Sequence, residues 1–169
     1  MTLAAGDDLL SRCHNFCGHL NPRFRASDGN IVYGTTCNMS LALASMHRLQ
    51  QPAGALFDAA FPGASYEDVE LCVRNAAHGC ALSFAPAAVV RHDFAPRGAD
   101  DPEEALFKRF ARYGGSEHIL FELHPWCNAE VLYGATRALN LPLPSQLEGA
   151  PAETIVKEYV LRPFSFSSS

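Results

Sequence analysis

Apolar residues recur at helical spacing most clearly at Val69, Cys72, Val73 and Ala76, which follow the i, i+3, i+4, i+7 pattern of a one-sided helix. Ser65 and Asp68 just before them match the S-x-x-D capping box, and Gly79 supplies a C-terminal stop. A second helix start lies in Asp101-Pro102-Glu103-Glu104, which offers a cap, a proline at the first helical position and early acids. That helix is expected to bury Leu106, Phe107 and Phe110 and to end at Gly114-Gly115. A further helix runs from Ser116 to the break at Pro125. Another, from Trp126 to Leu139, carries Val131, Leu132, Ala135 and Leu139 on one face before Pro142 and Pro144. Leu41 to Leu49 also reads as a helix. Short strands are predicted at Ile31 to Tyr33, Ala81 to Phe84 and Val89 to His92, and the residues up to Asn30 read as irregular. The order of strand, helix, two strands and then helices predicts an α/β domain with a mixed sheet and C-terminal helices.

Composition narrows the class. Hydrophobic residues make up 48% and charged residues 18% of 169 positions, enough apolar material for one folded core. A net charge of -5 and a pI near 5.7 leave no basic excess to displace counterions from phosphates, so no nucleic-acid partner is expected. Met1 to Leu10 contains Asp7 and Asp8 and no Lys or Arg, which does not read as a secretory signal. The longest weakly polar run, Cys80 to Val90, is too short to cross a bilayer, so no membrane segment is expected in the chain.

Six cysteines occupy positions 13, 17, 37, 72, 80 and 127, and none forms a C-x-x-C pair. Cys13, His14, Cys17 and His19 put four metal-ligand types within seven positions. A zinc-stabilised binding or interaction module is one reading of that cluster, although its spacing is not that of a finger or ribbon. Loop thiols or one disulfide is the other. Cys72, on the apolar helix face, reads as a small core residue.

Three segments concentrate polar chemistry at strand ends or helix starts, where side chains converge on clefts. They are Gly34-Thr35-Thr36-Cys37-Asn38-Met39, then Phe57 to Leu71 with its acids at a helix start, then Val89-Val90-Arg91-His92-Asp93. Phe57-Asp58, Phe61, Glu67-Asp68-Val69-Glu70-Leu71, Arg74, Gly79 and Val89-Val90-Arg91-His92 stand in order after Asn38-Met39. Arg109, Arg112, Tyr113 and Gly114 follow. This ordered set resembles the acceptor-side, C-terminal half of family-2-like glycosyltransferases of the A-type fold, over about Ile31 to Pro125. On this resemblance residues 31–125 form an acceptor and catalytic half-domain, with 1–30 an irregular segment before it and 126–169 a C-terminal helix and tail.

The resemblance implies an inverting transfer of a sugar from a nucleotide sugar to a hydroxyl of a carbohydrate or glycoconjugate acceptor. It makes Asp68 the general base, Glu67 and Asn38 substrate-binding residues, and His92 a nitrogen ligand to a divalent manganese or magnesium ion at the leaving diphosphate. It also implies a Golgi or membrane-associated setting if the complete protein is a eukaryotic transferase. A carboxylate at a helix N-terminus is expected to stay ionised and to be a weak base. The family's nucleotide-binding half, with its D-x-D motif, has no counterpart in the residues before Ile31, because each strand–helix–strand unit takes roughly thirty residues. The chain therefore reads as a segment expected to be inactive alone.

Each residue also has a plainer role available. Asp68 can serve only to cap its helix, and Glu67 and Glu70 to compensate the helix dipole, with Glu70 pairing to Arg74 one turn on. His92 can be a hydrogen-bonded surface histidine, and Asn38 a turn residue.

Overall fold

The computed structural model describes residues 2–6, 8–25, 27–51, 54–93, 101–129, 131–132 and 136–138. In chain order these form β1 (Thr2–Ala4), α1 (Leu9–Cys17), β2 (Arg23–Arg25), β3 (Ile31–Tyr33) and a single 3-10 turn (Thr36–Asn38). There follow α2 (Leu43–Leu49), α3 (Glu67–Ala77), β4 (Val90–His92), α4 (Pro102–Leu123) and β5 (Thr136–Ala138). The expected α/β class holds, with a parallel β1–β4 pair and an antiparallel sheet in the order β3-β2-β5.

The opening thirty residues are not irregular. Asp8 caps α1 by accepting from the amide and the hydroxyl of Ser11, and Gly18, at φ 65°, ends it in the left-handed turn that favours glycine. β1 pairs with β4 on one edge. On the other edge, Asn21 and Asn15 take the place of a strand: their side-chain amides exchange hydrogen bonds with the backbone of Thr2 and Ala4. The Ala5 amide then donates to the His92 carbonyl at 2.8 Å, which fixes the end of β4.

α3 carries the core. Val69, Leu71, Cys72 and Val73 are all buried, while Ala76 of the predicted stripe is exposed. Val69 and Val73 pack with Phe61, Leu120, Cys127 and Leu132, and Val32, Tyr33 and Tyr66 close over them. Glu70 is also buried, because Arg74 grips it with two parallel hydrogen bonds and His124 donates to it at 3.1 Å. Arg74 in turn donates to the carbonyls of Leu49 and Leu56, tying the loop after α2 to α3.

Four expectations need correction. The Ala81–Phe84 segment forms no strand; its backbone runs irregularly along a cleft wall. Gly114 and Gly115 do not end a helix, and α4 continues through them for 22 residues. Neither glycine has a positive φ, and burial of Ser116 and Leu120 just beyond holds the helix against a glycine penalty of about 1 kcal/mol each. Phe107, expected in the core, is 74% exposed. The helix expected from Trp126 to Leu139 gives way to β5, which pairs antiparallel with β2 over Arg23 to Arg25, so backbone pairing overrides the local helical pattern. The expected face splits accordingly, with Leu132 buried and Val131 exposed, and Ala135, Leu139 and the chain from Leu141 onward lie outside the described residues.

Candidate functional site

Asp68 in the first turn of α3 and His92 at the end of β4 line one cleft of about 350 Å³. Its floor includes Tyr33, Thr35, Thr36 and Cys37, from the end of β3 and the turn beyond it. Its outer wall is one face of α4, where Arg109, Phe110, Tyr113, Gly114 and Glu117 recur at helical spacing. The size and mixed lining suit a small polar ligand with some apolar surface.

The helix start is built differently from a capping box. Ser65 is not the cap, and its hydroxyl is buried without a hydrogen-bond partner among the described residues. Tyr66 stands at the cap position with φ 65°, a left-handed conformation that costs a tyrosine about 1–2 kcal/mol. Its hydroxyl donates to Glu117 at 3.1 Å, and its ring lies 6.3 Å from that of Tyr113. The turn rolls Glu67 back onto the Ser65 amide, and Asp68 lies beside the 3-10 turn after β3.

Asp68 Oδ1 accepts from the Val69 amide at 2.8 Å and Oδ2 from the Thr36 amide at 3.2 Å. The carboxylate therefore joins α3 to the segment after β3 in addition to satisfying a first-turn amide. Asp68 keeps part of its surface on the cleft, yet protein crowds its carboxyl. Burial, reinforced by the neighbouring Glu67 charge, pushes its pKa up to about 6, against the opposing pull of the two amides. The carboxylate still ionises at neutral pH, as expected, but it is a stronger base than its helix-start position alone implies, because desolvation outweighs the helix dipole. A carboxylate with a pKa near 6 is better matched to accepting a proton at neutral pH than an ordinary aspartate.

Beside Glu67, Arg109 and Glu117 the cleft also presents imidazole and aromatic surface. His14 packs behind it, its ring stacked 6.3 Å from Phe110 and edge-on to His19 at 5.5 Å. Burial drives the pKa of His14 down to about 3, with nearby His19 and Arg109 adding to the effect, and lowers that of His19 as well. Burial raises the phenols of Tyr33 and Tyr113. Sequence reasoning passed over Tyr66, Phe110 and Glu117. The signal that was available is the Arg109, Phe110, Tyr113, Glu117 spacing, which puts a cation, an acid and two aromatic rings on one face of a helix.

His92 Nδ1 lies 3.2 Å from the Asp93 carbonyl. A carbonyl only accepts, so this nitrogen carries the proton and Nε2 is the basic nitrogen of the neutral ring, the tautomer a metal-ligating histidine uses. One nitrogen does not make a site, however. Among the described residues no three His, Cys, Asp or Glu side chains come together as ligands. That includes the N-terminal cluster read as a zinc candidate. Cys13 and Cys17, one turn apart on α1, hydrogen-bond to each other, which raises the pKa of Cys13 and lowers that of Cys17, while His14 and His19 turn toward Phe110 and Tyr113.

Asn38 is not in the Asp68 cleft. Its amide donates to the Ala88 carbonyl at 3.0 Å, and it lines a second, larger cleft of about 540 Å³. Thr35 and Leu20 line both, so the two clefts are neighbours. No helix among the described residues is long and apolar enough to cross a membrane. Comparison of the chain with protein-family models, with curated proteins and with solved structures finds no match.

Proposed function

We propose that this chain is the acceptor-side part of an inverting glycosyltransferase, in which Asp68 takes the proton from the acceptor hydroxyl. The single observation supporting it is the cleft that Asp68 shares with His92, Glu67 and the aromatic face of α4. A helix cap alone has no need of a buried carboxylate with a raised pKa facing a cavity.

The proton transfer is simple to state. The acceptor hydroxyl oxygen forms its bond to the anomeric carbon of the donor sugar while the bond from that carbon to the diphosphate oxygen breaks. The hydroxyl proton passes to an Asp68 oxygen. The amides of Thr36 and Val69 each occupy one lone pair and hold the carboxylate at a fixed angle, so the carboxylate does not have to reorganise as it accepts the proton. Tyr33, Tyr66, Phe110 and Tyr113 offer apolar ring surface for the sugar, and Glu67 a carboxylate for a further hydroxyl. The family resemblance would put His92 on a metal at the diphosphate, and no step here depends on it.

The test is nucleotide diphosphate release from a panel of nucleotide sugars, in protein carrying this chain together with a donor-binding half. Asp68→Asn is expected to lower turnover by about 10²–10⁴-fold, the usual worth of a general base, while donor binding persists. Turnover close to wild type would end the proposal.

A further inference from the structure

Two thiols meet on α1. Cys13 and Cys17 stand one turn apart on that helix, are both reduced, hydrogen-bond to each other, and each keep part of their surface exposed. The remaining cysteines are placed differently. Cys72 and Cys127 are buried, which pushes their thiols up to about 12 and about 11. The Cys37 sulfur lies against the hydroxyls of Thr35 and Thr2, and that of Cys80 against the His78 carbonyl. Within the α1 pair, the Cys13 thiol donates to Cys17, which draws the pKa of Cys17 down to about 7 and raises that of Cys13. About half of Cys17 is then thiolate at neutral pH, and the thiolate is the nucleophile in disulfide exchange.

The helix also sets the geometry of a bridge. Residues four apart on an α-helix have Cα atoms about 6 Å apart, inside the range that a disulfide spans. Their Cβ atoms lie about 5–6 Å apart, beyond the usual disulfide separation, so closure must tighten the turn. Cys17 is the last residue of α1, and Gly18 follows it in the left-handed conformation. The turn that must move is therefore a helix end, which frays, and not a helix middle. A bridge closed against such strain is readily reduced again.

We infer that Cys13 and Cys17 form a reversible dithiol–disulfide site that exchanges with low-molecular-weight disulfides such as glutathione disulfide. The Cys17 thiolate attacks one sulfur of glutathione disulfide, forming a mixed disulfide and releasing one glutathione thiolate. Cys13 then gives its proton to solvent, and its thiolate attacks the Cys17 sulfur, closing the Cys13–Cys17 bond and releasing the second glutathione. The protein loses two electrons and two protons, and glutathione disulfide is reduced to two glutathione thiols. Neither cysteine lines the Asp68 cleft, so the site stands apart from the transfer reading.

The test treats the intact chain with glutathione disulfide, quenches with acid, alkylates the remaining thiols and digests with trypsin. Cleavage after Arg12 and Arg23 leaves both cysteines in one peptide, residues 13–23, with no other cysteine. Wild type is expected to yield that peptide unalkylated and lighter by two hydrogens, and dithiothreitol to restore both thiols. Cys13→Ser, in which serine still offers a donor, should stop at a mixed disulfide on Cys17. Cys17→Ser should react about fivefold more slowly, and that difference should vanish in concentrated urea, where the pair is not held together. Equal rates for the two folded variants, or a wild-type peptide that keeps a bound glutathione or two free thiols, overturns the proposal.

Discussion

Replacing Asp68 by asparagine keeps the side chain's shape and removes the charge that burial disfavours. The consequence is a pH-dependent change in stability whose sign is fixed by linkage. In the unfolded chain the carboxyl titrates near its ordinary 3.8, and in the folded protein near 6. Between those values the folded state binds the extra proton, so wild-type stability falls as pH rises through this window and stays lower above it. At about 1.4 kcal/mol per pH unit the interval comes to about 3 kcal/mol, reduced to about 2 because part of the residue faces water. Asparagine retains only one acceptor oxygen for the Thr36 and Val69 amides, which takes back about 1 kcal/mol at every pH. The variant should therefore be about 1 kcal/mol less stable than wild type at pH 3.5 and about 1 kcal/mol more stable at pH 8. Urea unfolding of both proteins at four or five pH values between 3.5 and 8 measures this directly. The difference between them cancels the titrating groups that are not coupled to Asp68, including His14. A difference that is constant across the range would show that Asp68 is an ordinary exposed acid, and the reasoning about its burial would be wrong.

His14 produces the opposite slope: its folded pKa is depressed to about 3, so the unfolded chain binds the extra proton below 6.5 and stability drops as pH falls. His14→Phe should remove that loss, worth about 2 kcal/mol at pH 5, and a wild-type-like acid profile in the variant would contradict the neutral, buried imidazole. Arg74→Met leaves Glu70 buried without its bidentate partner and should cost about 3–5 kcal/mol by chemical denaturation, whereas a loss under 1 kcal/mol would mean the Leu49–Leu56 loop is not clamped. Leu120→Ala, at the centre of the core, should cost about 2–5 kcal/mol, and Phe107→Ser on the exposed face of the same helix should stay within about 0.5 kcal/mol. Equal losses at the two positions would mean that α4 is rotated about its axis. Gly79→Ala should cost about 1 kcal/mol at φ 70°, and a neutral result would argue against the left-handed stop after α3.

Legibility of the fold tracked how local the physics was. Asp101-Pro102 marked the start of α4 because a capping carboxylate and a proline act within one turn, and Asp101 does accept from the Glu103 amide. Gly79 and the Glu70–Arg74 pair were read for the same reason. The end of α4 was missed because the packing of Leu120 decides it, and that is a tertiary matter. β1 and β5 were missed because three-residue strands have almost no periodicity, and each exists through its partner: β4 and two asparagines for β1, β2 for β5. The Asp8 cap and Gly18 stop of α1 were present in the sequence and passed over. At the candidate site, residue types at strand ends and helix starts marked the segments that carry Asp68, Glu67 and His92, and only the family resemblance gave these residues their roles. Asn38 went to the neighbouring cleft because its amide is drawn to the Ala88 carbonyl, fifty residues away, which no local pattern reveals. The raised pKa of Asp68 was invisible for a related reason: the helix dipole can be read from sequence, and burial cannot.

The rate of sugar transfer as a function of pH tests the central claim most directly. With Asp68 as base, log kcat/KM should climb with unit slope and level off at an inflection near pH 6, and Asp68→Asn should abolish both that limb and most of the rate. An inflection near 4, or a limb that persists in the asparagine variant, would show that another group takes the proton.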